Sequence, residues 1–345
     1  MTPTFIITTG RSGTKFMSNM LQRHPDVLSL SGFFISIMEW AFPSAPLDGG
    51  EFWRLITTRR PDIENMLRRG IQFNRFRYPF ETGRFNLETG TPYILYLTIP
   101  QITSDPDGLY AELEVTVPQW PSRPIVQHYR QLFGWLAGRF DKSVVVERSG
   151  GSIVWVSELH AAFPDARFIL VHRNGPDCAV AMSKSPLTRV QVFRYTAAEL
   201  IGVPTSADIT EDQVQQLPDH LAAAVRGEFK VETLMSEDAP LTWFGDLWSK
   251  QISKAATELA KLPLSSWTTV SYESMVSDPV HEFARMARFL GAEPTAEWLQ
   301  DAASQVDPSR AHTSHGLDEA TRAQLEQACA AGTQALKSIE HLHHA

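Results

Sequence analysis

Short apolar runs that end at turn residues alternate along this chain with stretches of helical period. Residues 4–9 (Thr-Phe-Ile-Ile-Thr-Thr) are β-branched and aromatic and stop at Gly10, which predicts a short buried strand. Phe16, Met17, Met20 and Leu21 then recur at helical spacing, which predicts a helix over 14–23. Pro25 closes it, because a proline pushes the residue before it, here His24, out of the α region. The pattern sharpens again after residue 142. Residues 143–147 (Ser-Val-Val-Val-Glu) and 166–171 (Ala-Arg-Phe-Ile-Leu-Val) predict buried strands. Between them 153–163 predicts a helix with Ile153, Val156, Leu159 and Phe163 on one face. Another helix runs from Pro176, a residue suited to a first turn. Residues 267–272 predict a strand, 280–290 a helix stopping before Gly291, and 317–339 a C-terminal helix. Strand–helix–strand order of this kind predicts βαβ units around a central parallel sheet, hence an α/β fold.

Two stretches break the pattern. Residues 31–141 are less regular and hold Trp40, Trp53, Trp120 and Trp135 with many of the Phe and Pro residues. They predict helices and loops laid over the sheet, either as a binding wall (32–141) or as ordinary packing. Residues 202–240 are acidic and polar with little periodicity, which predicts a mobile loop or lid. There is no internal repeat, and the histidines of the tail (His341, His343, His344) belong to a frayed terminus.

Composition narrows the function classes. The 345 residues are 43% hydrophobic and 20% charged, an ordinary globular mixture, long enough for two domains or one large α/β domain. The net charge of −8 makes a poor surface for tracking DNA or RNA, but a small anionic ligand needs only a few placed cations. Cys178 and Cys329 form neither a disulfide framework nor a zinc spacing, and Cys178 lies in an apolar run as a small buried hydrophobe. The N-terminus has no basic region before its short apolar stretch, and no run of roughly 18 apolar residues occurs. These features predict a cytoplasmic protein without stable membrane insertion.

The chemistry concentrates in Gly10-Arg11-Ser12-Gly13-Thr14-Lys15-Phe16, between a strand and a helix. A turn there aims successive backbone N–H groups at one spot, and the helix N-terminus adds roughly half a positive charge. Glycines allow close backbone approach, Ser12 and Thr14 add hydroxyls, and Arg11 and Lys15 add fixed charge, so the segment predicts a phosphate cradle. It is not a Walker A loop, which needs four residues between its glycines and a Gly-Lys-Ser/Thr ending. Only Arg11 and Ser12 stand between these glycines, and Thr14 intervenes before Lys15.

Here the sequence resembles the sulfotransferases that use 3′-phosphoadenosine 5′-phosphosulfate (PAPS). Their loop [Lys/Arg]-Ser-Gly-Thr-x-[Trp/Leu/Phe] matches residues 11–16, and the following helix end and His-Pro turn match 21–27. A second motif, strand-Arg-Asp/Asn-x-x-Asp-helix, matches 168–177 through Arg173, Asn174 and Asp177. A third, Tyr-Glu-x-x-x-x-Asp-Pro before a helix ending Phe-Leu-Gly, matches Tyr272-Glu273, Asp278-Pro279 and 289–291. Residues 147–152 (Glu-Arg-Ser-Gly-Gly-Ser) look like the bacterial-type branch. The resemblance spans nearly the whole chain. It implies a single domain over 1–345 with a P-loop-like three-layer fold, the 32–141 insertion lying on the acceptor side. It implies sulfuryl transfer from PAPS to a hydroxyl of a small-molecule, lipid or carrier-bound acceptor.

The resemblance also distributes roles. Ser12, Gly13, Thr14 and Lys15 would hold the 5′-phosphosulfate, with Arg11 and Lys15 as catalytic cations at the bridging oxygen. Phe16 and Tyr272 would lie by the adenine. Arg173 would grip the 3′-phosphate, with Arg310 as a late contact, and Asp177 would orient Arg173 or cap its helix. No metal is required, because the sulfuryl group carries one negative charge. Two positions depart from the family. Ala181 stands where a second 3′-phosphate ligand, a Ser, is usual, and Gly32 stands where several branches place a catalytic Glu. Glu39, Glu147 and His128 are the candidate bases. The competing readings are a non-catalytic nucleotide-binding module of the same fold and a P-loop kinase using ATP.

Overall fold

Five short, almost wholly buried runs form the strands β1 (Thr4–Ile7), β2 (Val27–Ser31), β3 (Val144–Arg148), β4 (Arg167–His172) and β5 (Trp267–Ser271). All four pairings are parallel and the order is β2-β3-β1-β4-β5. A parallel sheet is covered on both faces, which is why these runs read as continuous apolar stretches rather than alternating ones. Neighbours along β1 feed opposite layers: Phe5 and Ile7 enter one core, Ile6 the other. The computed structural model describes residues 2–37, 40–69, 71, 76–307 and 312–343.

The first connection is α1 (Thr14–Arg23), with the bounds its period predicts. It leads to β2, two strands away from β1. The chain returns through β3 beside β1 and then crosses to β4 on β1's other side. The C-terminal end of β1 is therefore where the connections diverge, the place at which open α/β sheets bind ligands.

The irregular stretch after β2 is helical. It begins with α2 (Phe33–Ile37), then passes through Gly49–Ile56 to α3 (Pro61–Arg68), α4 (Ile94–Leu97) and α5 (Ile125–Arg139). Its aromatics form a shared core in which Phe33 and Phe34 meet Tyr129 edge-on at 5.6 and 5.1 Å. Trp53, Trp120 and Trp135 join this core, whereas half of Trp40 is exposed. After β3 comes α6 (Val156–Ala162), entered through a 3₁₀ turn at Ser152–Trp155. After β4 come α7 (Gly175–Ser183) and α8 (Pro186–Ile201).

Residues 202–240, expected as a loop, fold into short helical segments at Ser206–Asp208, Glu211–Val214, Asp219–Arg226 and Val231–Ser236. None exceeds 8 residues, and Gly202, Pro218 and Gly227 separate them, so no helical period builds up in the sequence. Leu221, Ala224 and Leu234 are buried, and Arg189 of α8 anchors the last segment by donating from Nε to the Leu234 carbonyl at 2.9 Å.

Four further helices support the site from behind. The long α9 (Leu241–Leu259) packs on the C-terminal α12 (Glu319–Leu342), and both pack on α7; α10 (Tyr272–Ser277) and α11 (Pro279–Leu290) follow β5. The α9–α12 crossing is close because Gly332 brings no side chain: a Cβ there would stand 2.8 Å from the Ser249 Cα. Gly175 has the same role beneath Arg173, where a Cβ would meet Trp248 at 2.7 Å and the Cys329 Cβ at 2.8 Å. Among the described residues no helix is long and apolar enough to cross a membrane.

Candidate functional site

The turn after β1 is built by backbone conformation. Gly10 and Gly13 have φ of 81° and 85°, and Arg11, which carries a side chain, is also left-handed at 58°. Such a conformation costs an L-residue about 1–2 kcal/mol, so the surrounding bonds must hold it. They do: the Arg11 Nε donates to the Ala181 carbonyl at 3.1 Å, and its own carbonyl accepts from the Arg173 Nη1 at 3.5 Å. A side chain at Gly10 would meet open space, so only its backbone shape is demanded there. At Gly13 the demand is steric, because a Cβ would stand 2.2 Å from the Tyr272 ring.

The loop's side chains divide into two groups. The Ser12 hydroxyl is fully buried and engaged within the fold, 2.6 Å from the Thr8 hydroxyl and 3.2 Å from the Val171 carbonyl of β4. It shapes the loop, which leaves its backbone to face a ligand. The Thr14 Oγ1 is also buried, yet has no hydrogen-bond partner among the described residues. An orphaned buried hydroxyl costs about 1–3 kcal/mol unless a ligand oxygen meets it. No side chain caps the first turn of α1, so its N–H groups are left, like the Thr14 hydroxyl, for a partner outside the helix. Arg11 and Lys15 are exposed. Phe16 turns its ring edge-on to Phe283 of α11 at 5.5 Å.

Arg173 follows β4 and is buried, with only 5% of its surface exposed. Its guanidinium lies 4.9 Å over the Tyr272 ring and donates from Nη2 to the Thr313 hydroxyl at 3.2 Å. Tyr272 thus touches both Gly13 and Arg173, and joins the loop after β1 to the turn after β4. Its neighbour Glu273 accepts from the Asn174 backbone N–H at 2.9 Å and fixes the turn that carries Arg173. The helix cap falls to Asn174, which accepts from the Asp177 N–H at 3.2 Å. Asp177 therefore does not cap the helix: its Oδ1 accepts from the Ser314 N–H at 2.7 Å, and its carbonyl from the Thr313 hydroxyl, the group to which Arg173 donates, at 2.9 Å. It pins the late segment beside Arg173. His312 and His315 stack there with centroids 4.6 Å apart, 4.0 Å separating the His312 Nδ1 from the Asp177 Oδ2. Arg310 lies outside the described residues, as does the candidate base Glu39.

Position 181 is at the loop, where a phosphate ligand is expected, but an alanine brings no donor there. Cys178, one turn earlier, packs against the same loop with Sγ 3.4 Å from the Gly10 carbonyl. Burial pushes its thiol up to about 12, so it stays protonated and inert.

Gly32 has a structural reason. Its φ is 74°, and a Cβ would stand 2.6 Å from the Leu97 side chain of α4, so a glutamate does not fit. A carboxylate nevertheless lies beside it, from β3. The Glu147 Oε1 accepts from the N–H groups of Phe33 and Phe34 at 3.1 and 3.4 Å and from the Ser149 hydroxyl at 2.7 Å. The Ser149 Oγ accepts in turn from the Ile35 N–H at 2.9 Å, so the end of β3 and the residue after it cap the start of α2. Burial raises the Glu147 carboxyl to about 7; its donors and Arg148 pull the other way and do not win. His128, the other candidate base, is a core residue. It stacks on Phe52 at 4.6 Å, bonds the Leu47 carbonyl at 2.8 Å, and burial lowers its basicity.

No group of three or more metal-ligating side chains occurs among the described residues. Comparison with known proteins found no matching family model and no matching curated protein. Solved structures do match. A sulfotransferase domain from the curacin biosynthetic pathway aligns at 14% identity and TM-score 0.47, covering 95% of this chain and 97% of that one. The sulfotransferase domain of the Synechococcus PCC 7002 olefin synthase aligns at 15% identity and TM-score 0.46, over 95% and 94%. A sulfotransferase from Alicyclobacillus acidocaldarius aligns at 16% identity and TM-score 0.39, over 99% and 96%. These three structures, each described as a sulfotransferase or sulfotransferase domain, align with nearly the whole of this chain.

Proposed function

We propose that the chain is a PAPS-dependent sulfotransferase acting on a hydroxyl. The observation that carries this reading is Tyr272, which stands between Gly13 of the anion loop and the buried Arg173. Two separate anion sites bridged by one aromatic ring fit a nucleotide with a phosphate at each end of its ribose. The residues fit the co-substrate in kind: an orphaned Thr14 hydroxyl and uncapped N–H groups for the 5′ end, and a guanidinium fork for the 3′-phosphate. When bound, PAPS supplies an activated sulfuryl group. The chain's part is to hold that group in line with the acceptor and neutralise charge on the bridging oxygen. Lys15 and Arg11, both exposed, are the cations for this task. Arg173, with the Thr313 hydroxyl beside it, grips the 3′ end where Ala181 offers nothing.

The experiment is turnover of PAPS in excess chelator with a panel of phenols and alcohols, in wild type and Lys15→Ala. The reading predicts sulfated product without added metal and a loss of about 100-fold or more in Lys15→Ala. ATP turnover that requires Mg would support the kinase instead. Gly32, closed off by Leu97, favours one second reading, a module that binds the nucleotide without catalysis. Binding of adenosine 3′,5′-bisphosphate with no product from any acceptor would establish it.

A further inference from the structure

The late segment beside Arg173 carries two imidazoles, those of His312 and His315. They stack with ring planes 4° apart and centroids at 4.6 Å. Between them in the chain stands Thr313, whose hydroxyl accepts from the Arg173 Nη2 at 3.2 Å and donates to the Asp177 carbonyl at 2.9 Å. His312 is therefore one residue away from a direct contact of the buried guanidinium, yet 59% of its side chain is exposed. Asp177 holds the segment in place through Oδ1, which accepts from the Ser314 N–H at 2.7 Å. Its Oδ2 faces the His312 Nδ1 across 4.0 Å, within ion-pair range of an imidazolium and too far for a hydrogen bond. Other elements packed here bring Glu273 of α10, bonded to the Asn174 N–H, and Asp318 and Arg322 of α12. Arg322 donates from Nη2 to the His315 carbonyl at 3.1 Å, and Asp318 is occupied by the Thr321 N–H and hydroxyl.

A buried carboxylate thus shares a hydroxyl neighbour with the guanidinium assigned to a phosphate. The Asp177 charge opposes a doubly negative phosphate, most strongly where water is excluded. A cation between the two removes the opposition. Histidine is the side chain whose charge changes between about pH 5 and 8, and an imidazolium donates from both nitrogens. With Nδ1 toward Asp177, Nε2 on the other edge of the ring is left for a phosphate oxygen. Like charges disfavour two protonated rings at this separation, so the stacked pair takes one proton rather than two. We propose that His312 is a binding residue for the 3′-phosphate and takes one proton from solvent as that phosphate binds. It supplies the second donor that Ala181 does not. By linkage, the nucleotide binds most tightly where His312 is already protonated, and its affinity falls as pH rises. The inference rests on the sulfuryl-transfer reading and adds a residue to its 3′-phosphate site.

The test is calorimetric titration with adenosine 3′,5′-bisphosphate at pH 7 in buffers of different ionisation enthalpy. The slope of binding enthalpy against buffer enthalpy counts the protons exchanged. Adenosine 5′-monophosphate, which lacks the 3′-phosphate, is the comparison ligand, and His312→Gln and His315→Phe are the variants. A phosphate monoester loses its second proton near about pH 6, so at pH 7 a bound dianion releases protons from the ligand and net uptake belongs to the protein. The proposal predicts uptake of about half a proton by wild type with the bisphosphate, and an affinity that falls about threefold or more from pH 6.5 to 8.5. His312→Gln loses both and binds the monophosphate as wild type does. His315→Phe keeps a ring to stack on and retains both. Equal uptake with the two ligands, uptake that survives in His312→Gln, or uptake lost in His315→Phe instead would overturn the proposal. If wild type binds no bisphosphate, the donor reading fails and takes this inference with it. Tight binding without proton uptake sinks the inference alone.

Discussion

Burial and hydrogen bonding pull the Glu147 carboxyl in opposite directions, and burial wins, raising it to about 7. The folded chain therefore holds that proton more tightly than the unfolded chain. Its contribution to stability is full below the ordinary value near 4.5 and is lost as pH rises through about 7, by an amount on the order of 3 kcal/mol. Glu147→Gln keeps an acceptor for the Phe33 N–H and removes the titration. Urea midpoints between pH 4 and 8 should fall more steeply in wild type than in Glu147→Gln; parallel profiles would refute the assignment. A second prediction concerns Gly13, where a methyl would collide with Tyr272. Gly13→Ala should weaken binding of adenosine 3′,5′-bisphosphate about tenfold or more by displacing that ring, whereas Gly10→Ala pays only for its backbone conformation. The two glycines look alike in the sequence. What separates them is an aromatic ring 259 positions further on, a contact no local pattern reveals. The same holds for Ser12, a hydroxyl expected at the ligand and found tied to β4.

At the level of elements, what local period and turn chemistry determine was legible. β1, α1, β3, β4, β5 and α11 lie within a residue or two of their predicted bounds. The third motif has a local explanation as well: Asp278 caps α11, accepting from the His281 N–H at 3.2 Å, and Pro279 opens it. The helices of 202–240 were not legible, being too short to repeat a pattern. The late segment at Thr313 and Ser314 was missed too, because it has no period and its place is set by Asp177, 137 residues earlier in the chain. Asp177→Ala should release it. The expected outcome is faster amide exchange at Ser314 and bisphosphate affinity reduced several-fold, with little change in melting temperature. Gly332→Val should act in the opposite way. A side chain forced against the Ser249 backbone costs about 1–3 kcal/mol, seen as a lower melting temperature, while bisphosphate affinity holds at temperatures where the variant is folded.

Across the whole molecule, the sheet order brings together residues from positions 10–16, 173–177, 272–273 and 312–315 at the C-terminal ends of β1, β4 and β5. The sequence motifs come in the right order for this, and their convergence is the fold's contribution. Charge is divided at the same scale: residues 54–84, with eight arginines and three acids, are set within an acidic chain. The central claim is that the Gly10–Phe16 loop and Arg173 grip the two ends of one nucleotide, and calorimetric titration with adenosine 3′,5′-bisphosphate tests it most directly, with ATP as comparison and with Lys15→Ala and Arg173→Ala as variants. The account predicts tight binding of the bisphosphate, weaker binding of ATP, and a loss of about tenfold or more in each variant. Absence of bisphosphate binding, or a preference for ATP with Mg, would contradict it.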